Sequence, residues 1–172
     1  MDTIISTNPS REFAVIWEVS VTSEEEIIKI VKKVREAQKT WGNLSVWERV
    51  WYLSKSYDLM FAKTSFLANI LSEEMGMPIT QAEWEVANGL AYFRWNLENA
   101  ETYLSPEIVK ETDKELHTNY YEAKWVVAAI APWNFPFSLF IWSSIQALLS
   151  GNTVVFKTSK ETILTGKMID EI

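Results

Sequence analysis

The sequence predicts an α/β fold, in which helices and a few strand segments lead into the first strand–helix–strand unit of a parallel sheet. Three observations carry this expectation. Residues 125–130, Trp-Val-Val-Ala-Ala-Ile, form a short apolar, β-branched run that reads as a buried strand. A helix through residues 138–149 follows, entered by way of Pro132-Trp133-Asn134-Phe135-Pro136-Phe137. Pro136 suits the first helical turn, where its missing N–H would find no partner anyway. A second strand, Thr153-Val154-Val155-Phe156, comes next, and no charged residue lies between Lys124 and Lys157. An uncharged strand–helix–strand unit covered on both faces has this profile. Pro132, Asn134, Pro136, Gln146 and the Gly151-Asn152 turn argue against a membrane span over the same stretch.

Upstream, residues 13–21 are rich in Val, Ile and Trp and suggest a strand after an Asn8-Pro9 turn. Thr22-Ser23 followed by Glu24, Glu25 and Glu26 is a helix start, with a hydroxyl cap and acids in the first turn. Ile27, Ile30, Val31, Val34 and Ala37 recur at helical spacing until Gly42-Asn43 stops them. Ser45 caps a second, longer helix, with Glu48 at the capping-box position, expected to run to Met75 before Gly76. A third helix opens at Thr80 and runs to about Tyr103. Ser105-Pro106-Glu107 ends the helices, residues 110–114 form a polar connector, and residues 116–125 read as an extended strand.

Composition excludes several function classes. With 172 residues and 48% hydrophobic content the chain has enough material for a real core. A net charge of -7 disfavours nucleic acid and anionic membrane as partners, because phosphate binding needs a surplus of Lys and Arg. Met1-Asp2-Thr3-Ile4-Ile5 has no basic start and no long apolar run, so no signal peptide is expected and cytoplasm is the expected location. There is no cysteine, hence no disulfide, thiolate metal site or redox pair. His117 is the single histidine, expected on a solvent-facing strand edge, and no metal site can be assembled around it. Ser143, Ser144 and Ser159 have no base partner in any arrangement suited to nucleophilic catalysis. No Gly-x-Gly-x-x-Gly occurs.

Asn134 therefore sits on a strand-to-helix turn beyond a strand's carboxyl end, the crevice in which open α/β sheets bind ligands. The turn and the later Gly151-Asn152-Thr153-Val154-Val155-Phe156-Lys157 together resemble the aldehyde dehydrogenase superfamily. Its members carry Pro-Trp-Asn-Phe-Pro, a helix, then Gly-Asn-Thr-Val-Val and a lysine. Asn8-Pro9-Ser10, Glu74-Met75-Gly76-Met77-Pro78 and Glu98-Asn99-Ala100-Glu101 agree with the family in order and spacing. The resemblance covers nearly the whole chain and implies a truncated form of that fold. Residues 1–124 would be an N-terminal helical region with strand segments, contributing to cofactor and oligomerisation domains. Residues 125–172 would begin a Rossmann-like NAD(P)-binding sheet and leave it incomplete.

The resemblance also implies roles. The amide matching Asn134 shares an oxyanion hole with a backbone N–H at the catalytic cysteine; otherwise Asn134 would only brace its own turn. The helix N-terminus behind it is expected to favour developing negative charge. Positions matching Phe135 and Trp142 line the aldehyde entrance in some members, although aromatic stripes at helical spacing also build plain core. Lys157 would bind the adenosine ribose of NAD or NADP, with backbone groups of Ile130, Ala131 and Trp133 near the cofactor. Lys160 stands where many members have a glutamate and leans the preference towards NADP, with Glu161 adjacent. Trp125 replaces a common glycine.

The implied function is the N-terminal part of an NAD(P)-dependent aldehyde dehydrogenase, oxidising an aldehyde such as succinic semialdehyde to a carboxylate. The nucleophile and the water-activating glutamate lie downstream in such enzymes, so this chain alone is expected to be inactive. Two further readings stand beside it: half of a split enzyme completed by a C-terminal chain, and a non-catalytic binding or assembly module. Homo-oligomerisation is expected, since a strand pair near residues 110–125 joins subunits in the family.

Overall fold

Two Ser–Glu pairs set where the helical part begins in the structure, a computed structural model that describes residues 2–172. Helix α1 spans Glu24–Trp41 and helix α2 spans Val46–Ala62. Each opens with a complete capping box: Ser23 Oγ accepts from Glu26 N while Ser23 N donates to Glu26 Oε2 at 2.8 Å, and Ser45 with Glu48 repeats the pattern at 2.7 Å. The hydrogen bonds from the serine backbone N–H hold both carboxyls below their ordinary range.

Helix α2 does not run to Met75. It ends at Ala62, the Lys63 N–H turns back to Met60 O, and Thr64 Oγ1 donates to Phe61 O at 2.7 Å, diverting that carbonyl from the helix ladder. Helix α3, Thr64–Met75, starts anew and stops at Gly76, whose φ of 65° is the left-handed cap conformation. Helix α4 spans Ile79–Leu104. Leu67, Leu71, Val86, Phe93, Phe137 and Ile141 are fully buried and form the centre of the core.

Strand β1, Thr3–Asn8, pairs antiparallel with β2, Ala14–Ser20, across a 3₁₀ turn at Pro9–Arg11. Asn8 caps that turn by accepting from Ser10 N at 2.9 Å. Strand β3, Glu107–Glu111, takes in the start of the expected connector and forms a hairpin with β4, Leu116–Asn119. The strand expected over residues 116–125 shortens accordingly, and residues 120–124 take no regular structure.

The uncharged stretch folds as anticipated. Strand β5, Val126–Ile130, leads through helix α5, Pro136–Leu149, to β6, Thr153–Lys157, and the two strands pair in parallel from Val126↔Thr153 to Ile130↔Lys157. Among the described residues no helix is long and apolar enough to cross a membrane. Helix α1 covers the sheet, with Thr153 Oγ1 donating to Val34 O. The C-terminal end of α5 is held by buried Arg49, whose Nε donates to Leu149 O at 2.8 Å, and by Trp41 Nε1 on Leu148 O at 2.9 Å. A last helix, α6 at Ile163–Glu171, was not anticipated. Its first turn donates to buried Glu74 of α3, from Leu164 N at 2.7 Å and from Thr165 N at 2.8 Å, and Ser6 Oγ of β1 completes the cluster at 2.6 Å.

Helices α4 and α5 meet at Gly89. A Cβ there would stand 2.8 Å from the buried Phe137 ring and 3.3 Å from Ser138 Cα. Gly89→Ala should therefore destabilise by about 1–3 kcal/mol through overpacking, although Ala is the better helix former by about 1 kcal/mol. A thermal midpoint raised in Gly89→Ala would contradict this packing.

Candidate functional site

Because β5 and β6 are parallel, their carboxyl ends open on one edge. The register sets Ile130 beside Lys157, and Ala131 N donates to Lys157 O at 3.2 Å. That bond engages the Ala131 N–H, and Ala131 is buried. Ile130 is 70% exposed. Lys157 is exposed, and its Nζ donates to Thr158 O at 3.0 Å. Lys160 is exposed too and lies 3.5 Å from Glu161, a solvated pair of little energetic weight.

Asn134 lies exposed on the turn between β5 and α5. Among the described residues its side chain takes no hydrogen bond within the chain, so it does not brace its own turn; the amide is left to solvent at the sheet edge. Trp133 is exposed and borders a cavity of about 230 Å³ that also touches Ser6, Phe13, Glu74 and Glu161.

The helix N-terminus behind Asn134 meets a carboxyl of α4. Phe137 N and Ser138 N both donate to Glu85 Oε1 of α4, at 3.0 and 3.2 Å, and Ser138 Oγ donates to the Glu85 carbonyl at 2.9 Å. These first-turn donors are engaged by a carboxyl and do not await a substrate charge. Glu85 is completely buried, and Oε2 has no partner. Burial pushes its carboxyl up to about 7, against the pull of the Ser138 and Phe137 N–H groups. The sequence reading missed Glu85. Its signal was an acid on an apolar stripe, in helical step with Ala82, Val86 and Gly89.

Phe135, at the N-cap of α5, and Trp142, two turns along it, meet residues two turns apart on α4. The Phe135 ring lies 6.4 Å from that of Trp84, and Trp142 lies 5.6 Å from Tyr92, to which Gln146 also donates. Trp142 is 42% exposed and Phe135 partly so. The pair thus lines an open aromatic flank beside the Asn134 turn.

Trp125, at the start of this unit, takes φ 88°, a value that favours glycine, with Arg35 stacked 5.6 Å from its ring. His117 is exposed on β4, 3.4 Å from Glu115. Ser143 donates to Leu139 O and Phe140 O, and Ser159 accepts from Glu161 N. No cluster of three or more metal-ligating His, Cys, Asp or Glu side chains forms among the described residues.

Comparison with known proteins matches residues 2–172 to the family model described as the aldehyde dehydrogenase family. The chain is 32% identical to the alpha-ketoglutaric semialdehyde dehydrogenase of Bacillus subtilis, over 95% of this chain and 34% of that protein. It is 31% identical to the mitochondrial succinate-semialdehyde dehydrogenase of Arabidopsis thaliana, over 99% of this chain and 32% of that protein. Among solved structures, an aldehyde dehydrogenase from Brucella melitensis superposes with TM-score 0.92 at 27% identity, over 99% of this chain and 35% of that one. The NADP-dependent glyceraldehyde-3-phosphate dehydrogenase from Bacillus halodurans, complexed with NADP, gives 0.90 at 26%, over 99% and 37%. The chain spans about a third of the length of the curated relatives it matches.

Glu85 generates a pH prediction. Its folded-state value lies above the unfolded one, so the native state holds the extra proton between about pH 4.5 and 7. Stability is then fully present below pH 4.5 and falls as pH rises through 7, by on the order of 3 kcal/mol from this group. The melting midpoint should drop more between pH 5 and 8 in the wild type than in Glu85→Gln. A carboxyl ¹³C titration should place Glu85 near 7. Parallel melting curves, or a titration in the ordinary carboxylate range, would contradict the burial argument.

Proposed function

The chain belongs to the aldehyde dehydrogenase family, and from that premise we propose that it supplies the oxyanion and ribose contacts for NAD(P)-dependent oxidation of an aldehyde to its carboxylate. One observation carries the reading: the Asn134 amide, free of partners among the described residues, stands at the sheet edge onto which Lys157 also opens. When a thiolate attacks the aldehyde carbon, the carbonyl oxygen becomes an alkoxide, and the Asn134 N–H donates to it. A preorganised donor of this kind stabilises the transition state more than the ground state. These 172 residues contain no cysteine, so the thiolate comes from outside them.

Lys157 fits the ribose part of a dinucleotide, since its ammonium has only Thr158 O as a partner within the chain and two further protons to donate. A bound nicotinamide supplies the hydride acceptor. Ile130, Ala131 and Trp133 border the same edge. Lys160 favours a 2′-phosphate, although Glu161 partly neutralises it. Residues 125–172 act here as the start of the cofactor sheet, and residues 1–124 as the helical support with strand segments.

The open flank of Trp84, Phe135, Tyr92 and Trp142 suits an aldehyde whose tail is apolar or only partly polar. A semialdehyde such as succinic semialdehyde is the proposed class, supported by relatives that bear such names. β5 and β6 make a two-stranded sheet with unpaired edges, and Trp125, Ile130 and Trp133 are exposed beside it. Another copy of this chain or the complementary C-terminal part of the enzyme covers these edges.

The 172-residue chain alone should produce no NAD(P)H from a panel of aldehydes, and enzyme-proportional NAD(P)H formation would refute the need for an external thiol. In enzyme reconstituted with the part that supplies the cysteine, Asn134→Ala should lower kcat by about 10²–10³. Unchanged turnover would reduce Asn134 to a turn residue. Light scattering at micromolar concentration should find the chain self-associated; a compact monomer would show that the exposed edges need no cover.

A further inference from the structure

We propose that Glu85 is a positioning residue for Asn134: through the first turn of α5, its buried carboxyl fixes the direction in which the Asn134 amide leaves the sheet edge. The proposal rests on the reading of Asn134 as the oxyanion donor.

The segment carrying Asn134 is suspended between two fixed points. On one side Ala131 N is tied to Lys157 O in the ladder. On the other, Phe137 N and Ser138 N share Glu85 Oε1. Only Phe135 and Pro136 separate Asn134 from that second anchor. Pro136 has its φ fixed by its ring, and the Phe135 ring leans on Trp84, the neighbour of Glu85. The Asn134 side chain has no brace of its own, so its direction is inherited from these anchors.

Glu85 is the polar part of the second anchor. Two N–H groups in a water-free site need an acceptor, and each would otherwise be buried unpaired. The first turn of a helix has no carbonyls of its own to offer them. Phe137, seated on Gly89, supplies packing without direction. One carboxyl oxygen, Oε1, serves both N–H groups. A positional error transmitted to Asn134 would fall on turnover, because misplacement of about 1 Å can cost up to 100-fold in rate.

The test uses the reconstituted enzyme. Glu85→Met keeps the volume and removes the acceptor, and should lower kcat about 10- to 100-fold while leaving the aldehyde KM within about threefold. Glu85→Gln keeps an acceptor oxygen and should stay within about threefold of wild type in kcat. Adding Glu85→Met to Asn134→Ala should cost nothing further, since the donor being aimed is gone. Unchanged kcat in Glu85→Met, or a full additive loss in the double variant, would overturn the proposal. If Glu85→Met does not fold, Glu85→Asp, shorter by one methylene, replaces it with the same expectations. A readout independent of chemistry is the side-chain amide resonance of Asn134, expected to shift and broaden in Glu85→Met and to return in Glu85→Gln. If Asn134→Ala leaves turnover intact, the catalytic reading fails, and this resonance alone decides the positioning role: shifted supports it, unmoved overturns it.

Discussion

A carboxyl group with no access to water organises this molecule where its chemistry would occur. Glu85 reaches from α4 to the first turn of α5 and accepts both N–H groups that the helix cannot satisfy itself. Beside that contact the Phe137 ring packs on Gly89, and only Phe135 and Pro136 separate Asn134 from the anchored turn. The carboxyl is costly to ionise because it is buried, and the two N–H groups on one oxygen offset that only in part. A buried acid of this kind sets geometry more than it adds stability.

The far end of the same helix is held by a cation. Arg49 caps α5 at Leu149 O and also donates to Leu44 O at 2.6 Å, which ties the helix end to the loop between α1 and α2. Burial lowers the guanidinium's basicity. With a carboxyl accepting at its N-terminus and a guanidinium donating at its C-terminus, α5 has backbone groups satisfied at both ends by side chains. Glu74 does the same for α6, but with every oxygen engaged. Helices that lack local caps are thus seated by charged groups from distant parts of the chain.

This explains which features were legible in the sequence. The β5–α5–β6 unit and both capping boxes are local patterns, and they fold as expected. The turn at Asn134 could be located because a strand, two prolines and a helix bracket it. The break at Lys63 was hidden because Met60, Leu67 and Leu71 keep one helical phase across it. The β3–β4 hairpin is exposed almost throughout and so carries no burial alternation. Helix α6 has no side-chain cap at Thr162, its capping acid being 90 residues away in sequence. Glu85, 52 residues from the turn it anchors, left only the trace of an acid on an apolar stripe.

Helix α5 is fixed at both ends, and amide hydrogen exchange measures this most directly. First-turn amides of a helix ordinarily exchange fast, because they lack intrahelical acceptors. If Glu85 and Arg49 hold the helix as described, Phe137 and Ser138 should be protected to the same degree as Ile141 and Ile145 in its middle, and so should the last turn through Ser150. Rapid exchange at Phe137 and Ser138 beside a protected middle would mean that the first turn frays, and that Glu85 does not hold the turn on which Asn134 stands.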